Sequence, residues 1–256
     1  MEIRNRVVVV TGGGGGIGGA LCRRFAADGA RQVVVSDIDR EAAAAVAAEI
    51  GGAAVRADVT VESDVASLVR GIEATHGRVD IYCSNAGIAV GGGPEASDAA
   101  WRQSWDVHVM AHVYAARALL PGMLARGEGY LVGTISAAAL LNHVLAAPYA
   151  VTKAAGLSFF EWMAIAYYDQ GIRLSVVCPQ GVRTAMLAQE GERNFLTAGA
   201  LDPEQVADAV ANGIHDERFL ILPHADVGEF FLRKASDYDR WLRGMRRLRG
   251  RILEER

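Results

Sequence analysis

Lysine is nearly missing from this chain. Of its 26 basic residues only Lys153 and Lys234 are lysines, and the rest are arginines. A lysine at a defined spacing from other polar groups therefore stands out. Cysteine is scarce as well: Cys22, Cys83 and Cys178 are far apart, odd in number, and form no CxxC pair. That pattern excludes a disulfide framework and predicts reduced, mostly buried thiols in a cytoplasmic protein. A reactive role is conceivable only for Cys178, the one cysteine near a candidate site. Long apolar runs are also missing. The opening segment holds four valines before its glycines, too few for a secretory core, and no later run approaches a membrane span. An excess of positive charge is absent too. Thirty acidic residues outnumber the basic ones and leave a net charge of -4, so neither nucleic acid nor a membrane is an expected partner.

What is present reads as a globular chain. Its 256 residues, 51% of them hydrophobic, suffice for a sizeable core. Short β-branched runs alternate with alanine-rich helical stretches. Strands are expected at 7–11, 32–37, 53–59, 79–87, 130–136, 173–179 and 219–223. Helices are expected after the glycines to 27, over 40–50, to about 76, over 101–126 and over 149–170. Near-continuous apolar strands separated by helices imply a parallel sheet covered on both faces. Right-handed crossovers make it a doubly wound α/β fold of the Rossmann type with about seven strands. No linker or repeat divides the chain. A single dinucleotide-binding domain over 1–256 is expected, with a core at 6–223 and a helical tail at 224–256. In such sheets ligands bind at the carboxyl ends of the strands.

TGGGGGIGGA (11–20) follows the first strand and opens a helix. Glycines let the backbone approach a pyrophosphate, and the helix start supplies unpaired N–H groups. A flexible turn is the plainer reading, but the position between strand and helix argues against it. Asp37 ends the second strand, 19 residues after Gly18. A carboxylate there suits the adenosine ribose hydroxyls and repels a 2′-phosphate. The plainer role, a helix N-cap, falls better to Asp39. NAD is favoured, and Arg40 nearby keeps NADP as the less favoured alternative.

PYAVTKAA (148–155) places Tyr149 and Lys153 four residues apart, on one helical face. A phenol with a reference pKa near 10 is a poor base at neutral pH, and a neighbouring ammonium favours its ionised form. Ser136 closes the fifth strand, 13 residues ahead of Tyr149. A hydroxyl there can hold a carbonyl or alcohol oxygen while Tyr149 moves its proton. Each residue alone has a bland reading, as a turn serine, a core aromatic or a solvated charge. Together, beside a dinucleotide loop, they read as catalytic.

With these motifs the chain resembles a classical short-chain dehydrogenase/reductase over about residues 6–223. The resemblance rests on TGGGGGIG (11–18), Asp58-Val59, NAG (85–87), Ser136, YAVTK (149–153) and CPQGVRT (178–184). It implies that Gly12, Gly16, Ile17 and Gly18 cradle the dinucleotide, with Ile38 beside Asp37. Asp58 and Val59 would hold the adenine, and Asn85, Ala86 and Gly87 line its path. Pro179, Gly181, Val182 and Thr184 would lie on the nicotinamide side, and Lys153 would also bind the nicotinamide ribose. Two positions depart from the family pattern. Gln180 stands where glycine is usual. His108 stands where an asparagine usually keeps the long helix locally distorted, its backbone carbonyl holding a water of a proton relay.

DVHVMAH (106–112) therefore poses a question, because His108 and His112 share a helical face. No glutamate lies between them and no acid or cysteine cluster completes a site, so metal is not expected. His112 reads as packing or subunit contact. His108 reads as a substituted relay residue, able either to replace the amide structurally or to titrate near neutral pH. Val90, Ala138, Leu141, His143, Leu145, Gln180 and Met186 are the candidate substrate residues, mostly apolar. A lid is expected over 187–201. The tail over 233–256 carries nine basic and four acidic residues, but apolar residues interleave at helical spacing. It reads as a solvated amphipathic helix or a subunit contact. The expected function is hydride transfer between NAD(H) and a hydrophobic secondary alcohol or ketone, in a dimer or tetramer. An epimerase or dehydratase, or a non-catalytic dinucleotide sensor, are the alternatives.

Overall fold

The computed structural model describes residues 1–189 and 196–254. Its elements, in chain order, are β1 (Val7–Thr11), α1 (Gly16–Ala27), β2 (Gln32–Asp37), α2 (Arg40–Ile50), β3 (Ala53–Arg56), α3 (Glu62–His76), β4 (Ile81–Ser84) and α4 (Asp98–Trp105). A π-helical turn over Asp106–Met110 leads into α5 (Ala111–Arg126), β5 (Gly129–Thr134), α6 (Ala137–Leu141) and α7 (Ala147–Tyr167). Then follow β6 (Ile172–Val177), α8 (Ala185–Gln189), α9 (Pro203–His215), β7 (Leu220–Ile221), α10 (Asp226–Ser236) and α11 (Tyr238–Glu254).

The seven strands form one sheet in the order β3-β2-β1-β4-β5-β6-β7, and every pairing is parallel. Valine runs make this possible. In β1 the alternation sends Val7 and Val9 into one core and Val8 and Val10 into the other. All four are fully buried, each contributing about 1.5–3 kcal/mol. One core packs α3, α5 and α7 onto the sheet, and the other packs α1, α2 and α9. The strand order reverses between β1 and β4. Their carboxyl ends open a crevice there, the place where such sheets bind ligands.

Several boundaries differ from the sequence expectation. The third strand stops at Arg56, before Asp58, whose carboxylate accepts the Thr60 amide and hydroxyl and so closes a turn. The fourth stops at Ser84, because Asn85 and Ala86 turn their amides to the Thr11 hydroxyl instead of the ladder. The seventh is only two residues long. The long helix starts at Asp98, capped by Ser97, and widens into the π turn at 106–110, the distortion that the resemblance implied. The expected lid over 187–201 lies partly outside the described residues.

Candidate active site

The crevice is a cavity of about 1180 Å³ running over the carboxyl ends of the strands. That exceeds the roughly 300–1,000 Å³ of an ordinary small-molecule pocket. Its floor at β1 is glycine for steric reasons. Gly12 sits at φ +63°, and a Cβ there would stand 2.8 Å from the Ala86 Cα. A Cβ on Gly18 would stand 2.0 Å from the Gly12 carbonyl oxygen. The loop is thus a close backbone cradle at the start of α1, a shape that suits a pyrophosphate. Asp37 helps to build it. Its Oδ2 accepts the Gly14 amide at 2.9 Å and its Oδ1 the Asp39 amide at 3.1 Å. Asp39 caps α2 by accepting the Glu41 and Ala42 amides.

Asn85 staples three strand ends together. Its Nδ2 donates to the carbonyls of Thr11 and Gly12, and its Oδ1 accepts the Thr134 hydroxyl. Gly12, Gly16, Ile17, Gly18, Asp37, Ile38, Asp58, Val59, Asn85, Ala86 and Gly87 all line the cavity, as do Pro179, Gly181, Val182 and Thr184. The residues present therefore fit a nicotinamide dinucleotide.

Ser136, Tyr149 and Lys153 line the same cavity. Ser136 caps α6, its Oγ accepting the Ala138 amide at 3.0 Å, so the hydroxyl proton is what it has to give. Lys153 is buried, 4% exposed. Its Nζ donates to the Thr134 carbonyl at 2.9 Å and lies 5.7 Å from the centre of the Tyr149 ring. Burial lowers the Lys153 ammonium from 10.5 to about 8. The sequence reading missed Thr134, whose carbonyl orients Lys153. Only the packing of α7 on the sheet brings Lys153 to the end of β5.

His108 is fully buried. Its Nδ1 lies 2.9 Å from the Thr152 hydroxyl, and its Nε2 accepts the Ile88 amide at 3.2 Å. Thr152 spends its own proton on the Pro148 carbonyl, so Nδ1 must be the protonated nitrogen and the ring is neutral. Burial first, then Lys153 and His112, push its pKa down to about 2. Of the two options for His108, structural replacement of the amide and titration near neutral pH, this environment favours the structural one. His108 is not among the cavity residues. It fastens the π turn to α7 and to the segment after β4, and its ring meets the Tyr149 ring edge-on, 5.4 Å between centres. A positioning residue describes it better than a catalytic one. Gly156 lets α7 approach this turn, since a Cβ there would stand 2.8 Å from the His108 carbonyl oxygen.

His112 pairs Nδ1 with the Ser84 hydroxyl at 2.7 Å and lays its ring edge on Phe160. Burial and Lys153 push it down to about 3. Among the described residues, no three His, Cys, Asp or Glu side chains gather as a metal would need.

Val90, Ala138, Leu141, His143, Gln180 and Met186 also line the cavity. Leu145 does not. Its amide turns to His143 Nδ1 and its carbonyl takes the Gly92 amide, which holds it in a bridge between loops. Nor is Cys178 a reactive thiol, because complete burial pushes it up to about 12. The structure adds Phe230, Trp241, Met245 and Leu248 from the tail helices to the cavity wall.

A doubly wound sheet with a glycine cradle at its switch point and a tyrosine–lysine pair over β5 defines a dinucleotide-dependent oxidoreductase scaffold. The chain belongs to the short-chain dehydrogenase family, whose profile, described as short chain dehydrogenase, matches residues 6–194. It is 34% identical over 243 residues to 1-deoxy-11-beta-hydroxypentalenate dehydrogenase of Streptomyces exfoliatus, covering 89% of this chain and 86% of that protein. It is 34% identical over 222 residues to meso-2,3-butanediol dehydrogenase of Serratia marcescens, covering 82% and 88%. The crystal structure of a short chain dehydrogenase/reductase from Burkholderia phymatum in complex with NAD superposes with a TM-score of 0.84 at 26% identity, over 93% of this chain and 96% of that one.

Proposed function

We propose that this protein moves a hydride between NAD(H) and a hydrophobic secondary alcohol or ketone. The convergence of Ser136, Tyr149 and buried Lys153 on the cavity that the glycine cradle opens carries this reading. A nicotinamide held by the glycine cradle would supply the hydride acceptor or donor. Ser136 gives its hydroxyl proton to the substrate oxygen as a hydrogen bond and holds it. Tyr149 takes the alcohol proton in oxidation and returns it in reduction. Lys153, fixed by the Thr134 carbonyl, keeps positive charge near the ring and favours the phenolate. His108 keeps the π turn and the start of α7 in register. Two relatives named as dehydrogenases of hydroxyl-bearing compounds agree with this chemistry.

NAD is proposed over NADP because Asp37 sits at the cavity edge, next to exposed Ile38. Its carboxylate suits ribose hydroxyls and repels a 2′-phosphate. Wild type is expected to bind NADH more tightly than NADPH. Asp37→Ala is expected to narrow that preference by roughly tenfold or more, the scale of a like-charge contact at an effective dielectric of about 20. Titration of both reduced cofactors by fluorescence measures it, and tighter NADPH binding by wild type contradicts the proposal.

Two further expectations remain proposals. Three buried, unpaired cysteines suit the cytoplasm. Self-association is supported by Val151, Trp162 and Ile165, which share one outward face of α7; Ile165 is 85% exposed.

A further inference from the structure

The tail helices were expected to be solvated or to meet another subunit. Their arginine face is exposed, and their apolar face closes one side of the catalytic cavity. Trp241, Met245 and Leu248 recur at helical spacing along α11, are half-buried, and line the cavity together with Phe230 of α10. The Phe230 and Trp241 rings lie 6.4 Å apart, centre to centre. The outer face of α11 is exposed and bears Arg240, Arg243, Arg246, Arg247 and Arg251. An arginine-coated helix has its water side already, so the apolar row is free to serve the cavity.

The pair is also fastened in place. Lys234, the second of the two lysines, donates to the Leu140 carbonyl at 2.5 Å. Arg249 donates to the Val144 carbonyl at 3.1 Å. Both acceptors lie in the short segment between Ser136 and Tyr149, which also carries His143. Val227 at the base of α10 is completely buried in the core that holds α7. The wall is thus built onto the same segment that carries the catalytic hydroxyls. It also lies beyond residues 6–194, the stretch that the family profile matches.

We infer that α10 and α11 form a same-chain wall of the substrate pocket and select a bulky, ring-containing apolar alcohol or ketone, whose far end packs on Trp241 and Met245. This rests on the dehydrogenase reading above and narrows its substrate. The cavity lining at Leu141 and Met186 is apolar too. A small polar alcohol would leave both surfaces in water, whereas a fused-ring substrate buries them. Aromatic side chains give the largest apolar contact per residue.

The test compares decalone, a bicyclic ketone, with butanone at saturating NADH. The readout is the ratio of their kcat/KM values in wild type, Trp241→Ala, Met245→Trp and the outward-facing control Leu242→Ala. Met245→Trp fills the cavity from a half-buried position, so it does not depend on tolerance of a deletion, and circular dichroism checks each fold. The decalone-to-butanone ratio is expected to fall at least about tenfold in both wall variants, the scale on which apolar pockets discriminate, and to stay put in Leu242→Ala. An unchanged ratio in the wall variants, or an equal fall in the control, overturns the inference. If wild type reduces neither ketone, the result counts against the dehydrogenase reading and leaves the wall to a binding readout. The wall is then read by thermal shift with NADH present. A decalone-induced rise in wild type that Met245→Trp abolishes supports it; no rise, or a rise that persists, overturns it.

Discussion

Tyr149→Phe is expected to lose at least about a hundredfold in turnover, the usual scale of acid–base catalysis, while NADH affinity stays close to that of wild type. Phenylalanine keeps the ring against the edge of His108, 5.4 Å between centres, and against Lys153. Only the proton carrier is removed. Two other titratable groups near the site cannot replace it. His108 is a neutral ring with both nitrogens engaged and a pKa near 2. Cys178 is buried with its pKa near 12. Initial rates with a panel of secondary alcohols, together with a cofactor titration, check the split. A variant that keeps more than about a tenth of wild-type turnover would show that another group transfers the proton.

Acid should unfold this protein through its two buried histidines. His108 and His112 are depressed from 6.5 to about 2 and about 3, in both cases by burial first and Lys153 second. A histidine with a lowered native pKa binds its proton in the unfolded chain before it does in the fold. Its contribution is therefore complete above about pH 6.5 and is lost as pH falls toward the native value. Each such group costs about 1.4 kcal/mol per pH unit in that window, so the pair costs roughly 2.7. That is a large share of an ordinary stability of about 5–15 kcal/mol. Urea midpoints between pH 7 and pH 4 should fall steeply in wild type. His112→Gln, which can still meet Ser84, should show about half this histidine contribution to the slope. An unchanged slope would mean that these rings are not the titrating groups. His108→Asn should keep most turnover with an unaltered pH profile from 5 to 8, since the histidine it replaces carries no charge there.

Much of this was legible in the residues. The valine runs, the glycines between strand and helix, Asp37, and the spacing of Ser136, Tyr149 and Lys153 are local signals, and the structure gathers them at one crevice. The start of α9 was equally legible but went unread: Asp202-Pro203 with Gln205, whose side chain accepts the Asp202 amide. Other features depend on what a residue faces, which periodicity cannot say. The apolar row of α11 was visible, yet nothing in its spacing tells a subunit contact from a pocket wall. His108 was singled out by its departure from the family pattern. Its protonation depended on Thr152 and Ile88, which only folding brings to its two nitrogens. Leu145 and Cys178 looked like site residues by proximity in sequence, and burial or a loop bridge removed them.

The central claim is a redox reaction that uses Tyr149 as its proton carrier. It is tested most directly by following reduced-nicotinamide absorbance and the organic product together, with a cyclic secondary alcohol and NAD. The account predicts one reduced nicotinamide formed per ketone formed in wild type, and neither at a comparable rate in Tyr149→Phe. Conversion of substrate to an epimer or a dehydrated product with no net change in the cofactor would contradict it, and so would tight cofactor binding with no conversion of any alcohol or ketone.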